Sequence, residues 1–148
     1  LNANPQRHVS GIATYSLNFT YSDEESRLVA ARENQMSEDK MSDLEVILGD
    51  LARTELINES SILAPLVQKS IIRSVRKISP DAKDLGAKHA PFFVLTANMP
   101  SVLIEASFIT NPTEAKRLRD ERYQEAVARG IAEGIRQYMN TLRHVGVE

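Results

Sequence analysis

One charged side chain interrupts the most apolar stretch of this chain. Residues 100–109 read Pro-Ser-Val-Leu-Ile-Glu-Ala-Ser-Phe-Ile, and Glu105 is the single charged residue among them. A run of this length, followed by a second proline at Pro112, is typical of a strand buried on both faces of a parallel sheet. Removing an ionised carboxylate from water is costly unless a partner compensates it. Because open α/β sheets bind ligands beyond the carboxyl ends of their strands, Glu105 is the leading candidate for a functional residue.

Length and composition indicate one globular domain. The chain has 148 residues, of which 42% are hydrophobic and 26% charged, and a formal net charge of −2. These values are typical of a domain with its own core. The near-neutral charge and the lack of a basic stripe argue against a nucleic-acid binder, and no apolar run reaches the roughly 18 to 20 residues of a membrane-spanning helix. The chain has no cysteine, which excludes disulfides, thiolate zinc sites and a cysteine nucleophile.

Alternating strands and helices predict an α/β sandwich. The helix after the Glu105 strand has the clearest start, because Asn111 is a suitable cap, Pro112 fits the first helical position and Glu114 fits a capping box. Residues 81–89 are predicted to form a loop, and Pro65 is predicted to lie in the first turn of its helix. Three strands are few for a domain of this size, so we expect N-terminal strands to be missing from this chain. The predicted strands are residues 11–17, residues 90–96 and the Glu105 run, and the longer predicted helices are residues 24–33, 60–77 and 121–142.

The last predicted helix carries an apolar stripe that begins at Tyr123, and two glycines, Gly130 and Gly134, one turn apart. Glycine in a helix costs about 1 kcal/mol relative to alanine, so two glycines beside one stripe need a packing reason. We expect them to let the helix pack closely against the sheet.

Histidine is scarce in this chain, with three residues. The histidines His8, His89 and His144 lack the spacing that places two metal ligands on one helix face. The sequence also has no glycine-rich phosphate loop and no Gly-x-Ser-x-Gly elbow. Glu105 itself has a structural alternative, as a buried carboxylate neutralised by an arginine, a lysine or the N–H groups at a helix start. The residue pattern alone leaves the catalytic and the structural role open.

Four blocks of sequence occur in a characteristic order, at residues 11–18, 30–34, 90–95 and 99–112. The last is the most specific, with the pattern Pro-x-Val-Leu-Ile-Glu-x-x-Phe-Ile-x-Asn-Pro. Together they resemble the zinc-dependent N-acetylmuramoyl-L-alanine amidases, a family of bacterial cell-wall hydrolases. The resemblance covers nearly the whole chain, so residues 1–148 are expected to be the C-terminal portion of a single amidase catalytic domain.

The resemblance implies a three-layer fold, with a twisted, mainly parallel six-stranded sheet between helices. It also implies hydrolysis of the peptidoglycan amide that joins N-acetylmuramic acid to the L-alanine of the stem peptide. In such enzymes two histidines and a glutamate hold zinc, and a later glutamate, which Glu105 matches, acts catalytically on the zinc-bound water.

No zinc ligand is expected within this chain. The opening Asn2-Ala3-Asn4 resembles the residues that follow the last ligand in the family, so the resemblance places all the ligands upstream of Leu1. We therefore expect an inactive fragment of an exported enzyme of the periplasm or cell wall. The alternative is a non-catalytic module that binds peptidoglycan or another protein.

Residues 36–57 resemble an inserted segment of the septum-splitting branch of the family, which acts in cell division. There the segment forms a helix that covers the active site, and a glutamate on it can occupy the metal. Glu45 is the first candidate for this regulatory residue and Glu38 the second. The alternative is an ordinary surface helix packed on the core. The apolar residues that would dock on the catalytic groove or on an activator protein are Leu44, Ile47, Leu48 and Leu51.

Deleting residues 36–54 from the full-length enzyme is expected to raise its basal amidase activity, because an inhibiting helix would be removed. Release of peptides from purified cell wall measures this activity. Unchanged or lost activity would favour the surface-helix alternative.

Overall fold

The computed structural model describes residues 1–35 and 54–145, with side chains described as far as Arg143. Strands and helices alternate along it, which confirms the α/β class. None of the described helices is both long and apolar enough to cross a membrane. The elements are β1 (Ile12–Leu17), α1 (Glu24–Glu33), α2 (Thr54–Val75), β2 (Asp84–Ala90), a 3₁₀ turn (Phe93–Leu95), β3 (Val102–Glu105), α3 (Pro112–Arg117) and α4 (Glu121–Val145).

The three strands form one mixed sheet in the order β2-β1-β3. β1 and β2 run parallel, because the Ile12 N–H donates to the carbonyl of Lys83 and the Asn18 N–H donates to the carbonyl of Ala90. In a mixed sheet of three strands, β3 must then run antiparallel to β1. Directly after β3, Phe108 pairs in parallel with Asn2.

The second strand lies earlier in the chain than predicted. The loop predicted over residues 81–89 and the strand predicted over residues 90–96 are both wrong, because β2 spans Asp84–Ala90 and a 3₁₀ turn follows it. β2 is an edge strand of the described sheet, and Ala90 is its one buried residue. An edge strand with so little burial has no apolar alternation by which its sequence could reveal it.

β3 is shorter and less buried than predicted. Val102, Leu103 and Ile104 are half-buried, so the prediction of a strand buried on both faces is wrong. Glu105, the last residue of β3, is 2% exposed. The prediction of a buried carboxylate late in this strand is confirmed.

Helix α2 begins before its predicted start, and Pro65 therefore lies inside it rather than in its first turn. Proline has no N–H to donate to the carbonyl four residues earlier, which belongs to Ser61. Both residues are exposed, so water can satisfy that carbonyl.

The predicted inserted segment, residues 36–57, is described only at its end. Residues 54–57 form the first turn of α2, and the bounds of the inserted segment stay a prediction. Glu38 and Glu45 lie outside the described residues, and their regulatory role stays a prediction.

The chain divides into two compact units. The first consists of residues 1–14, 65–86 and 104–148, and the second of residues 15–64 and 87–103, each as far as the chain is described.

Helices α2 and α4 meet at their backbones in the first unit. A Cβ added to Gly130 would lie 2.4 Å from the Cα of Ile71, and one added to Gly134 would lie 2.5 Å from the Cα of Val67. The expectation that these glycines pack against the sheet is therefore wrong, because they pack against α2. The close approach buries Val67 and Ile71 completely.

A buried glutamine connects α2 to two strands in the same unit. The Gln68 amide nitrogen donates to the carbonyl of Ile12, at 2.9 Å, and to the carboxylate of Asp84. Its amide oxygen accepts from the hydroxyl of Thr14, at 2.8 Å. Both amide hydrogens of Gln68 and one lone pair of its oxygen are thus hydrogen-bonded. Buried polar groups need such partners.

One aromatic contact and one asparagine are among the interactions that connect the elements of the second unit. The rings of Tyr15 and Phe92 meet edge to face, with centroids 5.1 Å apart. After α1, the Asn34 side chain donates to the carbonyl of Pro91 and accepts from the N–H of Phe93. This asparagine therefore joins the end of α1 to the chain that follows β2.

Replacing Gly134 by alanine is expected to destabilise the protein by about 1–3 kcal/mol, because the added Cβ would meet backbone atoms of α2 that cannot rotate away. Urea denaturation of the variant and the wild type measures the change. Helix propensity alone predicts the opposite sign, with stabilisation of about 1 kcal/mol. A more stable Gly134→Ala protein would therefore contradict the close packing of the two helices.

Candidate active site

The carboxylate of Glu105 lies at the carboxyl end of β3, within the first unit. Its Oε2 atom is 3.2 Å from the amino nitrogen of Leu1. The side chain of Leu1 is about half exposed, whereas that of Glu105 is buried. In such a poorly hydrated position a carboxylate interacts strongly with any charge or proton donor brought near it.

The segment that follows Glu105, residues 106–109, is held by groups distant in sequence. The first of these is Asn2, whose N–H donates to the carbonyl of Ser107 and whose carbonyl accepts from the N–H of Ile109. The contact continues where the N–H of Asn4 donates to the hydroxyl of Thr110, at 3.0 Å. The start of the chain thus lies alongside the segment after β3.

Tyr123, in the first turn of α4, holds the same segment from another direction. Its hydroxyl donates to the carbonyl of Ala106, at 2.9 Å, and lies 2.7 Å from the hydroxyl of Ser107. A phenol has one proton to donate, so Ser107 must be the donor in the second bond. Burial raises the pKa of the Tyr123 hydroxyl, which keeps it protonated as a donor at neutral pH.

Glu114, in α3, is a second buried carboxylate of the first unit, and it is 2% exposed. One of its oxygens accepts from the N–H of Gly11 at 2.8 Å, and the other from the N–H of Phe108 at 2.7 Å. Burial raises the pKa of the Glu114 carboxyl, although these two N–H groups oppose the shift. The carboxylate therefore bridges the residue before β1 and the segment after β3.

The capping-box role predicted for Glu114 is wrong. Asn111 does cap α3, since its side chain accepts from the N–H groups of Thr113 and Glu114. In a capping box, the glutamate would accept a hydrogen bond from the backbone N–H of Asn111. That N–H donates instead to the carbonyl of Phe108. The Glu114 carboxylate is therefore available to bind elsewhere.

Neither cavity described in the two units contains a further catalytic group. In the second unit, a cavity of about 240 Å³ has no titratable side chain among the described residues that line it. In the first unit, an apolar groove of about 220 Å³ lies beside Ala106 and Tyr123. Glu105 lines neither of them.

The histidines do not form a metal site in the part of the chain that the structure describes. His8 is exposed, and His89 contacts the hydroxyls of Ser22 and Thr20 through its two ring nitrogens. The side chain of His144 lies outside the described residues. Among the described residues no group of three His, Cys, Asp or Glu side chains could hold a metal ion, so these residues do not form a zinc site by themselves.

Comparison with known proteins identifies the family. The family model described as N-acetylmuramoyl-L-alanine amidase matches residues 1–137. The chain belongs to this family. The resemblance predicted from the sequence blocks is thereby confirmed.

Two curated amidases illustrate the relationship. AmiA of Escherichia coli (strain K12) is 33% identical over 123 residues, which are 78% of this chain and 41% of AmiA. AmiC of Neisseria meningitidis serogroup B is 30% identical over 100 residues, which are 66% of this chain and 23% of AmiC. The chain therefore spans less than half the length of either amidase.

Solved amidase structures have the same fold. The N-acetylmuramoyl-L-alanine amidase from Clostridium difficile 630 superposes with a TM-score of 0.60 at 24% identity, over 95% of this chain and 54% of that one. The CwlD amidase from Clostridioides difficile, solved in complex with the GerS lipoprotein, gives a TM-score of 0.59 at 24% identity, over 95% of this chain and 52% of that one. At this identity the likeness establishes the fold alone.

The raised pKa of Glu114 predicts how its contribution to stability varies with pH. A carboxyl whose pKa is higher in the folded than in the unfolded chain stabilises the fold fully below its ordinary value of 4.5. This contribution is lost as the pH rises through the raised pKa. The free energy of unfolding of the wild type is therefore expected to fall relative to that of Glu114→Gln, which cannot titrate, over the pH range that begins at the ordinary value of 4.5 and extends upward through the raised pKa.

Urea denaturation of both proteins across this range measures the difference. A difference that is constant, or that shifts in favour of the wild type as the pH rises, would contradict the raised pKa.

Proposed function

We propose that this protein is a peptidoglycan amidase that hydrolyses the bond between N-acetylmuramic acid and the L-alanine of the stem peptide. The observation that carries the proposal is the buried carboxylate of Glu105 at the end of β3, in a chain of the N-acetylmuramoyl-L-alanine amidase family. The chain spans only part of its relatives, so the activity is proposed for the parent protein. Residues 1–148 would be the C-terminal portion of its catalytic domain.

Glu105 is the proposed general base and acid of the reaction. Its carboxylate would accept a proton from water as the water oxygen attacks the amide carbonyl carbon. The same proton would then pass to the nitrogen of L-alanine as the carbon–nitrogen bond breaks, so that the amine leaves uncharged. Positioned proton transfer of this kind contributes about 10²- to 10⁴-fold to enzymatic rates.

Zinc is the proposed cofactor, and it would supply a more acidic water and a polarised carbonyl. The described residues form no group that could hold a metal ion, so we propose that the ligands come from the part of the parent protein that this chain does not include. The chain alone is then expected to be inactive.

Localisation and partners follow from the proposed substrate. Peptidoglycan lies outside the cytoplasmic membrane, so the parent protein would act in the periplasm or cell wall. One structural neighbour, CwlD, was solved in complex with a lipoprotein. This supports a proposal that the parent of this chain also binds another protein, and that this partner acts as an activator through the predicted inserted segment and its candidate residues Glu45 and Glu38.

A non-catalytic module that binds peptidoglycan or another protein is the second candidate. The observation in its favour is that no metal-binding group forms among the residues described. It predicts that a longer form of the protein would bind cell wall without cleaving it.

The proposal is tested by measuring zinc content and amidase turnover in two proteins. One is this chain, and the other is a form extended to include the preceding residues of the parent. Bound zinc and amidase activity are expected only in the extended form. There, Glu105→Gln should lower turnover by about 10²-fold or more and retain zinc. Glu121→Gln, which changes an exposed carboxylate at the start of α4, is the control and should leave turnover unchanged.

Two outcomes would refute parts of this function. An extended form that contains no zinc, or that does not cleave peptidoglycan, would favour the binding module. Equal turnover with and without the Glu105 carboxylate would remove that residue from the mechanism.

A further inference from the structure

Glu105 is followed by four residues whose backbone is hydrogen-bonded to several other parts of the chain. The carbonyl of Ala106 accepts from Tyr123, the N–H of Phe108 donates to Glu114, and Asn2 pairs with Ser107 and Ile109 on either side of Phe108. The backbone of Glu105 is covalently continuous with this segment, and Glu105 is the last residue of β3. Its side chain therefore emerges where the regular strand ends and these contacts begin.

Tyr123 and Glu114 reach the segment from different helices. Tyr123 belongs to α4 and Glu114 to α3, and each is 2% exposed. Their contacts follow one another along the chain, with Tyr123 bound at Ala106 and Ser107 and Glu114 bound at Phe108. Two independent anchors on consecutive residues restrict both translation and rotation of the backbone beside Glu105.

Both polar groups act beyond their own helices. Asn111 already caps α3 without Glu114, and the ring of Tyr123 fills its core position without the hydroxyl. The Glu114 carboxylate and the Tyr123 hydroxyl instead bind the backbone after Glu105, and Glu114 also binds the N–H of Gly11 before β1.

We propose that Tyr123 and Glu114 are positioning residues for the catalytic carboxylate of Glu105. This inference rests on the proposed function, in which Glu105 transfers a proton between water and the leaving amine. Proton transfer requires the carboxylate within hydrogen-bond reach of both atoms. Tyr123 and Glu114 touch neither of them and act through the backbone that carries Glu105.

Tyr123→Phe in the active, extended enzyme is the direct test, because it removes the hydroxyl and its two hydrogen bonds while keeping the ring. We expect kcat to fall by about 10- to 100-fold, with KM within about 2-fold, since small displacements of a reacting group reduce rates by such factors. Misplacing the Glu105 carboxylate would lower kcat, whereas losing contacts with the substrate would raise KM.

Tyr138→Phe is the matched control. Tyr138 lies on the same helix, is buried to a similar extent, and interacts with other residues of its own. Removing its hydroxyl is expected to leave kcat within about 2-fold of wild type. Equal losses of kcat in the two variants would mean that Tyr123 acts only through general stability, and would overturn the proposal.

Two further variants keep the test decisive if Tyr123→Phe does not fold. Ser107→Ala removes one bond of Tyr123 and leaves its bond to Ala106, so its kcat should fall below that of wild type, by less than about 10-fold. Glu114→Gln keeps the size of the side chain but turns one acceptor into a donor facing an N–H group, and kcat should fall while KM is maintained. Wild-type kcat in both folded variants would overturn the proposal.

Glu105→Gln separates this inference from the function on which it rests. If Glu105→Gln is inactive and Tyr123→Phe and Glu114→Gln have wild-type kcat, the function stands and the positioning role fails. If Glu105→Gln retains full activity, the proposed role of Glu105 fails, and with it any positioning of that residue.

Discussion

The hydrogen bonding of residues 106–109 is the constraint on which the candidate site depends. β3 ends at Glu105, but the chain remains buried through Ser107 and Phe108. Buried backbone groups beyond the end of a strand need partners, because leaving them unsatisfied costs about 1–3 kcal/mol each. The partners come from the start of the chain and from the two helices that follow, so the site requires all of these elements to be assembled together.

Local chemistry made part of this arrangement predictable. The bounds predicted for α1 are those observed, because Asp23 accepts from the N–H of Ser26 at its start. The cap formed by Asn111 was equally clear from the residues beside it. Glu105 could be predicted to be a buried carboxylate late in its strand because one charge among nine uncharged residues is conspicuous.

The rest depends on contacts between residues far apart in the chain. Glu114 is separated from Gly11 by 103 residues, and nothing near Glu114 in sequence distinguishes it from a capping-box glutamate. The two glycines of α4 indicated that another element packs closely against this helix. They did not indicate whether that element is a sheet or a helix. Tyr123 could be assigned to a core position from its spacing, but the carbonyl that its hydroxyl binds could not. β2 was not predicted as a strand for a similar reason. An edge strand is held by backbone hydrogen bonds to its neighbour, and its side chains need not be apolar.

Pro65 has a consequence for how α2 responds to local opening. Residues up to Ala64 belong to one compact unit and residues from Pro65 onward to the other, and the proline removes one backbone hydrogen bond at this junction. Amide hydrogens in a continuous helix commonly exchange with solvent as one cooperative group. With a bond missing where the units change, the amides on the two sides of Pro65 can exchange with different free energies of opening, so a single helix reports separately on the stability of two regions.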